Sequence, residues 1–87
     1  MNAYEKWLRT FFEEKDLEEV EYYFEIEGNP VVTNNKDAIE VLANLKDKAS
    51  QEAVKRKIVQ IDFVNGDINH FLEYVIKGHM MNVIKGM

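Results

Sequence analysis

Residues 20–33 read VEYYFEIEGNPVVT, and here the helical period of the preceding residues changes to a period of two. Apolar side chains alternate with mostly acidic ones over its first eight positions, a period of two that is typical of a half-buried strand. The inward positions are Val20, Tyr22, Phe24 and Ile26. The outward positions are Glu21, Tyr23, Glu25 and Glu27. The pattern therefore predicts a strand with one apolar face and one acidic face.

The residues that follow predict a β-hairpin. Gly28-Asn29 has the chemistry of a hairpin turn, and residues 31–33 are a short return strand. Pro30 cannot donate to a ladder, so we expect this second strand at an edge. A helical interpretation of residues 17–24 remains open, because Leu17, Val20 and Phe24 also fit a period of 3.6.

Amphipathic helices are predicted on both sides of the hairpin. Before it, one apolar stripe is formed by Tyr4, Trp7, Leu8, Phe11 and Phe12. Asn2 is the expected cap of this helix, which should end near residues 15–16. The chain is thus predicted to be α+β with helices dominant, in the order α-β-β-α-α-α, as one small domain over residues 1–87.

Three further helices are predicted after the hairpin. Thr33-Asn34-Asn35 offers capping side chains for the first, which should run to residues 46–48, and Ser50 is the expected cap of the next. Asn65-Gly66 should stop that helix with Gly66 in the left-handed conformation, and Asp67 should cap the last one. The residues expected to be buried together are Trp7, Phe11, Phe24, Leu42, Ile58, Phe71 and Val75.

Composition and motifs argue against an enzyme or a cofactor protein. The chain has no cysteine, and His70 and His79 are nine residues apart, which places them on opposite sides of one helix. Ser50 is the only serine, and no phosphate loop or dinucleotide fingerprint is present. We expect no catalytic residues, no metal and no cofactor. The first residues lack the apolar core of a signal peptide and no apolar run could cross a bilayer, so a cytoplasmic location without membrane contact is predicted.

Charge is distributed very unevenly along the chain. Residues 1–40 carry eleven acidic and four basic side chains, whereas residues 41–87 carry five acidic and seven basic ones. The net charge of −5 disfavours binding to nucleic acid. Glu21, Tyr23, Glu25 and Glu27 are therefore predicted to bind a protein partner, with Tyr23 as an outward aromatic ringed by acids. A sharper version of this hypothesis has the acidic strand imitate DNA phosphates and inhibit a basic nucleic-acid-binding protein of a host or defence system.

The alternative hypothesis is a helix-turn-helix DNA-binding regulator. Two helices joined by a short turn are predicted at about residues 36–64, with a basic group that includes Lys48, Lys55, Arg56 and Lys57. Against this, the three consecutive basic residues fan around their helix instead of lining one side. The basic group could also receive the acidic strand of another copy, which would make the protein a homo-oligomer.

Two segments together resemble small uncharacterised phage and prophage proteins. One is residues 20–28 with the strand 31–33 and the helix 38–42, and the other is residues 61–72, IDFVNGDINHFL. The two parts cover about half of the chain, and neither is a functional motif. The resemblance implies a non-enzymatic accessory protein of a phage or mobile element that acts by binding host or phage machinery, and it implies no catalytic residues.

Overall fold

The computed structural model describes residues 2–85 and contains four helices and one hairpin. The elements are α1 (Ala3–Glu14), β1 (Glu21–Ile26), β2 (Asn29–Asn34), α2 (Asn35–Ala43), α3 (Lys48–Phe63) and α4 (Ile68–Lys85). This order confirms the predicted α+β class with helices dominant. It also decides between the two interpretations of residues 17–24 in favour of a strand, since β1 begins at Glu21.

Helix α1 begins as predicted but turns a different stripe towards the core. The side chain of Asn2 accepts a hydrogen bond from the amide of Glu5 at 2.8 Å, so Asn2 is the N-cap. The buried residues are Tyr4, Leu8 and Phe12, spaced four apart. Trp7 and Phe11 are only partly buried and stack on one another with ring centroids 5.5 Å apart. The prediction that these two rings lie in the core is therefore wrong.

The hairpin is antiparallel, and its turn lies one residue earlier than predicted. Ile26 pairs with Asn29, so the two loop residues are Glu27 and Gly28, and Asn29 already belongs to β2. Both loop residues have positive φ, 53° for Glu27 and 81° for Gly28, as a type I′ turn requires. The two strands form the whole sheet within residues 2–85, so each has a free edge, and the prediction of an edge position for the strand with Pro30 is confirmed.

The remaining helices begin at acidic or amide caps. Asn34 caps α2 by accepting from the amide of Asp37 at 3.1 Å, and Asp67 accepts from the amides of Asn69 and His70. Helix α3 is capped by Asp47 and not by Ser50, because the Asp47 carboxylate accepts from both the amide and the hydroxyl of Ser50 at 2.9 Å. Helix α2 ends at Ala43, earlier than the expected residues 46–48.

The end of α3 also differs in detail from the prediction. Asn65, not Gly66, has the left-handed conformation, with φ 53°. The amide of Gly66 then donates to the carbonyl of Ile61 at 2.8 Å, which closes the end of the helix. Asparagine tolerates this conformation better than most side chains, so the stop signal acts one residue earlier.

One hydrophobic cluster draws residues from all four helices and from β1. Its fully buried side chains include Phe12, Leu8, Ile58, Leu72 and Ile76. Phe24, Leu42 and Ile58 are buried as predicted, whereas Phe71 and Val75 only pack against the cluster from its margin. Helix α2 packs chiefly on α4, and the hairpin also rests on α4. Helix α3 contributes least to the cluster, since Ile58 is its one buried residue.

None of the helices within residues 2–85 has the length together with the apolar character that crossing a bilayer requires.

Candidate protein-binding face

The outer surface of the hairpin presents an apolar pair between two carboxylates. We define the acidic hairpin face as Glu21, Tyr23 and Glu25 of β1 with Pro30 and Val32 of β2. Tyr23 lies directly opposite Val32 in the register, and each is 68% exposed. Glu21 pairs with Asn34 and Glu25 with Pro30, so the carboxylates lie at the two ends of the apolar pair.

The inner surface of the hairpin fixes this face to the rest of the molecule. Phe24 and Ile26 are buried in the core, and the Tyr22 ring stacks on Phe24 at 6.4 Å. The Tyr22 hydroxyl donates to the carbonyl of Asn69 at 3.0 Å, at the start of α4. Because inward and outward side chains alternate, anchoring Tyr22 and Phe24 forces Tyr23 to point outward.

A buried asparagine anchors the base of the hairpin. The backbone N–H of Asn35 donates to the carbonyl of Val20 at 2.9 Å and thereby extends the hydrogen-bond ladder of the hairpin beyond the two strands. Its side-chain amide donates to the carbonyl of Leu17 at 2.7 Å and to Asn69 Oδ1 at 2.8 Å. These bonds hold the loop before β1 against α4, so the acidic hairpin face sits on a rigid support.

The carboxylates of this face have no cationic partner within residues 2–85. The ion pairs in this part of the chain join Glu5 to Arg9, Arg9 to Glu40, Lys15 to Asp62 and Lys36 to Glu19. Glu21, Glu25 and Glu27 take part in none of them. Their negative charge is therefore directed at solvent and remains available to a cation on another molecule.

Glu27 lies at the tip of the hairpin and not on the strand face. The sequence pattern predicts it in line with Glu21, Tyr23 and Glu25, but the earlier turn places it in the loop at φ 53°. Its side chain is exposed there, so it extends the acidic region beyond the end of β1. The four predicted residues are thus near one another in the chain, with three of them on one face and one at the tip.

Only some of the basic residues proposed for DNA binding share a surface: Lys55, Arg56 and Lys57 line one shallow groove on α3, and Lys48 is not among its lining residues. Lys48 begins α3 and is exposed, whereas the Lys55 ammonium lies 5.4 Å from the centre of the Trp7 ring of α1. Arg56 and Lys57 are exposed, and each is rotated by about 100° around the helix axis from the residue before it. Helix α2 packs chiefly on α4 rather than on α3, which differs from the close pair of a helix-turn-helix unit.

Several apolar side chains are exposed that the sequence analysis does not single out, and two groups of them matter here. Val32 faces Tyr23 across the hairpin, and Phe63, at the end of α3, is 87% exposed with Val59 beside it at 53%. A signal for Phe63 was present in the sequence. It lies five positions after Ile58, about 140° around the helix, and so falls outside the inward stripe.

Two tyrosines, one serine and the possible metal ligands are the remaining groups with chemistry of their own. Burial raises the pKa of the phenols of Tyr4 and Tyr22 above their usual value of 10.0. Within residues 2–85 no three His, Asp or Glu side chains are grouped closely enough to hold a metal ion. The hydroxyl of Ser50 is engaged with the Asp47 carboxylate.

Comparison with protein-family models, with curated proteins and with solved structures found no match to this chain.

Proposed function

We propose that this chain is a non-enzymatic protein-binding module that uses the acidic hairpin face. The observation that carries the proposal is the exposed Tyr23–Val32 pair, which lies between Glu21 and Glu25 on a rigidly anchored strand. An apolar centre with a charged margin is the usual composition of a protein interface, and tyrosine is enriched at its energetic centre.

The partner is expected to combine an apolar site with Lys or Arg around it. Burying the Tyr23 and Val32 side chains against such a site would remove apolar surface from water and stabilise the complex. Glu21, Glu25 and Glu27 would meet the cations at the margin, where charge mainly accelerates association and selects the partner. Binding should therefore be faster at low salt than at high salt.

The spacing of the carboxylates favours such a mixed surface over imitation of DNA. Glu21 and Glu25 are four residues apart on the strand, which corresponds to about 13 Å. One strand of B-DNA carries about four phosphates over that length of axis. The hairpin places two carboxylates over the same length, with an aromatic ring between them. This arrangement favours a partner with both cations and an apolar site over a partner that binds through charge alone.

The helix-turn-helix alternative receives less support from the structure. Lys48 lies outside the groove that Lys55, Arg56 and Lys57 line, and the Lys55 ammonium lies over the Trp7 ring. An origin in a phage or mobile element and a cytoplasmic location both stay predictions.

Selection from a displayed library of random peptides tests the proposal and does not require that the partner be identified first. We expect peptides selected on the wild-type protein to be enriched in Lys or Arg next to aromatic or aliphatic residues. The triple variant E21Q/E25Q/E27Q should lose these peptides. The matched variant E13Q/E14Q/E18Q, which removes the same charge from side chains outside the face and outside the ion pairs above, should keep them.

Thermal melts of both triple variants serve as the folding control. The glutamates of the hairpin lie on exposed positions, so E21Q/E25Q/E27Q should melt at the wild-type temperature or slightly above it. Peptides without basic enrichment, or peptides that bind both triple variants equally, would contradict the proposal.

A further inference from the structure

Helix α3 has an exposed side whose chemistry is the complement of the acidic hairpin face. We define the basic α3 face as Lys55, Arg56, Lys57, Val59 and Phe63. Val59 and Phe63 are one helical turn apart and mostly exposed, and the three cations lie on the turn before them. The shallow groove along this face is lined by these three cations and by one carboxylate, that of Glu52, so the surface is net positive.

The charges of this face are not neutralised within the described part of the chain. No ion pair in residues 2–85 includes Lys55, Arg56 or Lys57. Lys55 rests on the Trp7 ring, while Arg56 and Lys57 are exposed to solvent. Arg56 and Lys57 of α3 and the glutamates of the hairpin are therefore two groups of opposite sign that have no ion-pair partner in the described part of the chain.

We propose that the acidic hairpin face of one copy binds the basic α3 face of a second copy, head to tail. This inference rests on the proposed function, because it assigns a partner to the same hairpin face. The complementarity has two parts: the hairpin face has an apolar pair with carboxylates at its two ends, and the α3 face has an apolar pair with cations on the preceding turn. Both faces exist in every chain, and within residues 2–85 their charged residues Glu21, Glu25, Arg56 and Lys57 take part in no ion pair.

The dimensions of the two apolar pairs agree. Directly opposed residues of a hairpin, such as Tyr23 and Val32, have Cβ atoms about 4.5–5.5 Å apart. Residues four apart on a helix, such as Val59 and Phe63, are about 5–6 Å apart. Glu25 lies two strand positions from Tyr23, and Arg56 lies three helix positions from Val59. When the two apolar pairs are in contact, the charges of Glu25 and Arg56 can therefore meet.

The symmetry of the contact follows from the use of two different faces. A head-to-tail contact leaves one free hairpin face and one free α3 face at the ends, so further copies can add, which gives a ring when the rotation between copies closes and an open filament when it does not. The faces are small, so each contact is expected to be weak and to weaken further as salt screens the charges.

Sedimentation of the wild-type protein is the first part of the test. The average mass should rise as the concentration increases from micromolar to millimolar, and it should fall when salt is added. The variant Y74S removes an aromatic ring that is 77% exposed on α4 and belongs to neither face, so it should behave as the wild type. A wild-type protein that stays monomeric at millimolar concentration and low salt would overturn the inference.

Two complementary variants form the second part. Y23S/E25Q loses the hairpin face and F63S/R56Q loses the α3 face, and each alone should be monomeric with a wild-type melting temperature. Their equimolar mixture should form a complex of two chains and nothing larger, because each variant supplies the face that the other lacks. A monomeric mixture, or self-association of either variant alone, would contradict a head-to-tail contact.

The two proposals fail in different ways. If the wild type is monomeric while basic peptides still bind through Glu21, Glu25 and Glu27, the second copy is not the partner and the proposed function stands. If peptide binding does not depend on these glutamates but the complementary mixture forms the two-chain complex, the hairpin face binds a second copy of this chain and no other basic partner. Loss of both results removes the hairpin face as a binding surface.

Discussion

The side-chain amide of Asn35 donates to Asn69 Oδ1 at 2.8 Å and thereby joins the first residue of α2 to the first turn of α4. Asn35 is fully buried, and the same amide group also donates to the carbonyl of Leu17. One side chain thus fixes three segments that are far apart in the sequence. The acidic hairpin face depends on this fixation, because the Asn35 backbone also continues the ladder to Val20.

Replacing Asn35 should therefore destabilise the whole fold. N35A leaves the Leu17 carbonyl and Asn69 Oδ1, both partly buried, without their donor, and an unsatisfied buried group costs about 1–3 kcal/mol. It also removes Asn35 Oδ1, which is buried and accepts no hydrogen bond within residues 2–85, so the net loss should be smaller than the sum of the two. N82A, which changes an exposed asparagine of α4, should alter the free energy of unfolding by less than about 0.5 kcal/mol. Urea denaturation measures both variants, and equal midpoints for the two would show that the buried amide contributes nothing.

Phe11 and Phe12 are adjacent in sequence but differ in burial, which gives a paired test of the core. Phe12 is fully buried, so F12A should cost about 3–5 kcal/mol. Phe11 lies at the margin against Trp7, so F11A should cost distinctly less. The comparison uses chemical denaturation of both variants. A larger loss for F11A would mean that α1 turns the Trp7–Phe11 stripe to the core, as expected from the sequence.

The turn of the hairpin carries avoidable strain at Glu27. A glutamate at φ 53° is in a region that favours Asn and Gly, and Asn-Gly is a preferred pair for a type I′ turn. E27N should raise the free energy of unfolding by about 0.5–1 kcal/mol, whereas G28A should lower it by about 1–2 kcal/mol because of the φ of 81° at Gly28. Thermal melts of the two variants should move in opposite directions, and shifts of the same sign would disprove the assigned turn.

The cap of α3 makes stability depend on pH in a defined direction. The hydrogen bond from the backbone amide of Ser50, followed by that from its hydroxyl, lowers the pKa of Asp47 below its usual value of 3.8. A group with a lowered folded-state pKa stabilises the protein above its unfolded-state pKa, and this contribution is lost as pH falls through the folded-state value. D47A should therefore melt a few degrees lower than the wild type at pH 7, and the gap should close as pH falls below about 3.8. A gap that persists unchanged at pH 2 would refute this role.

Local chemistry allowed much of the fold to be predicted. Asn2, Asn34 and Asp67 act as caps because their side chains reach amides two or three residues ahead, an interaction that needs no tertiary contact. The alternation around Phe24 likewise predicts which side chains of β1 point outward. These features depend on near neighbours in the chain, so the sequence contains them.

The features that were missed depend on distant partners or on competition between equivalent residues. Asp47 and Ser50 are both good caps, and the carboxylate prevails because it accepts two bonds from Ser50 itself. The stripe of α1 is broad, and the packing of the other elements decides that Leu8 and not Trp7 faces inward. The Tyr23–Val32 pair follows from the position of the turn, and moving the turn by one residue would give Tyr23 a different partner.

The limited burial of α3 has a consequence for the local unfolding of the protein. Ile58 is the one fully buried side chain of this sixteen-residue helix, with Val54 packed at the margin and the Lys15–Asp62 ion pair at 2.8 Å near its end. A helix with so few buried contacts can detach at a lower free energy than the core requires to unfold. The amide hydrogens of α3 should then exchange with solvent sooner than those around Leu72 in α4. Any molecule that docks on Val59 and Phe63 would slow this exchange. Its binding would therefore be detected as protection of the α3 amide hydrogens, even without a change in the shape of the protein.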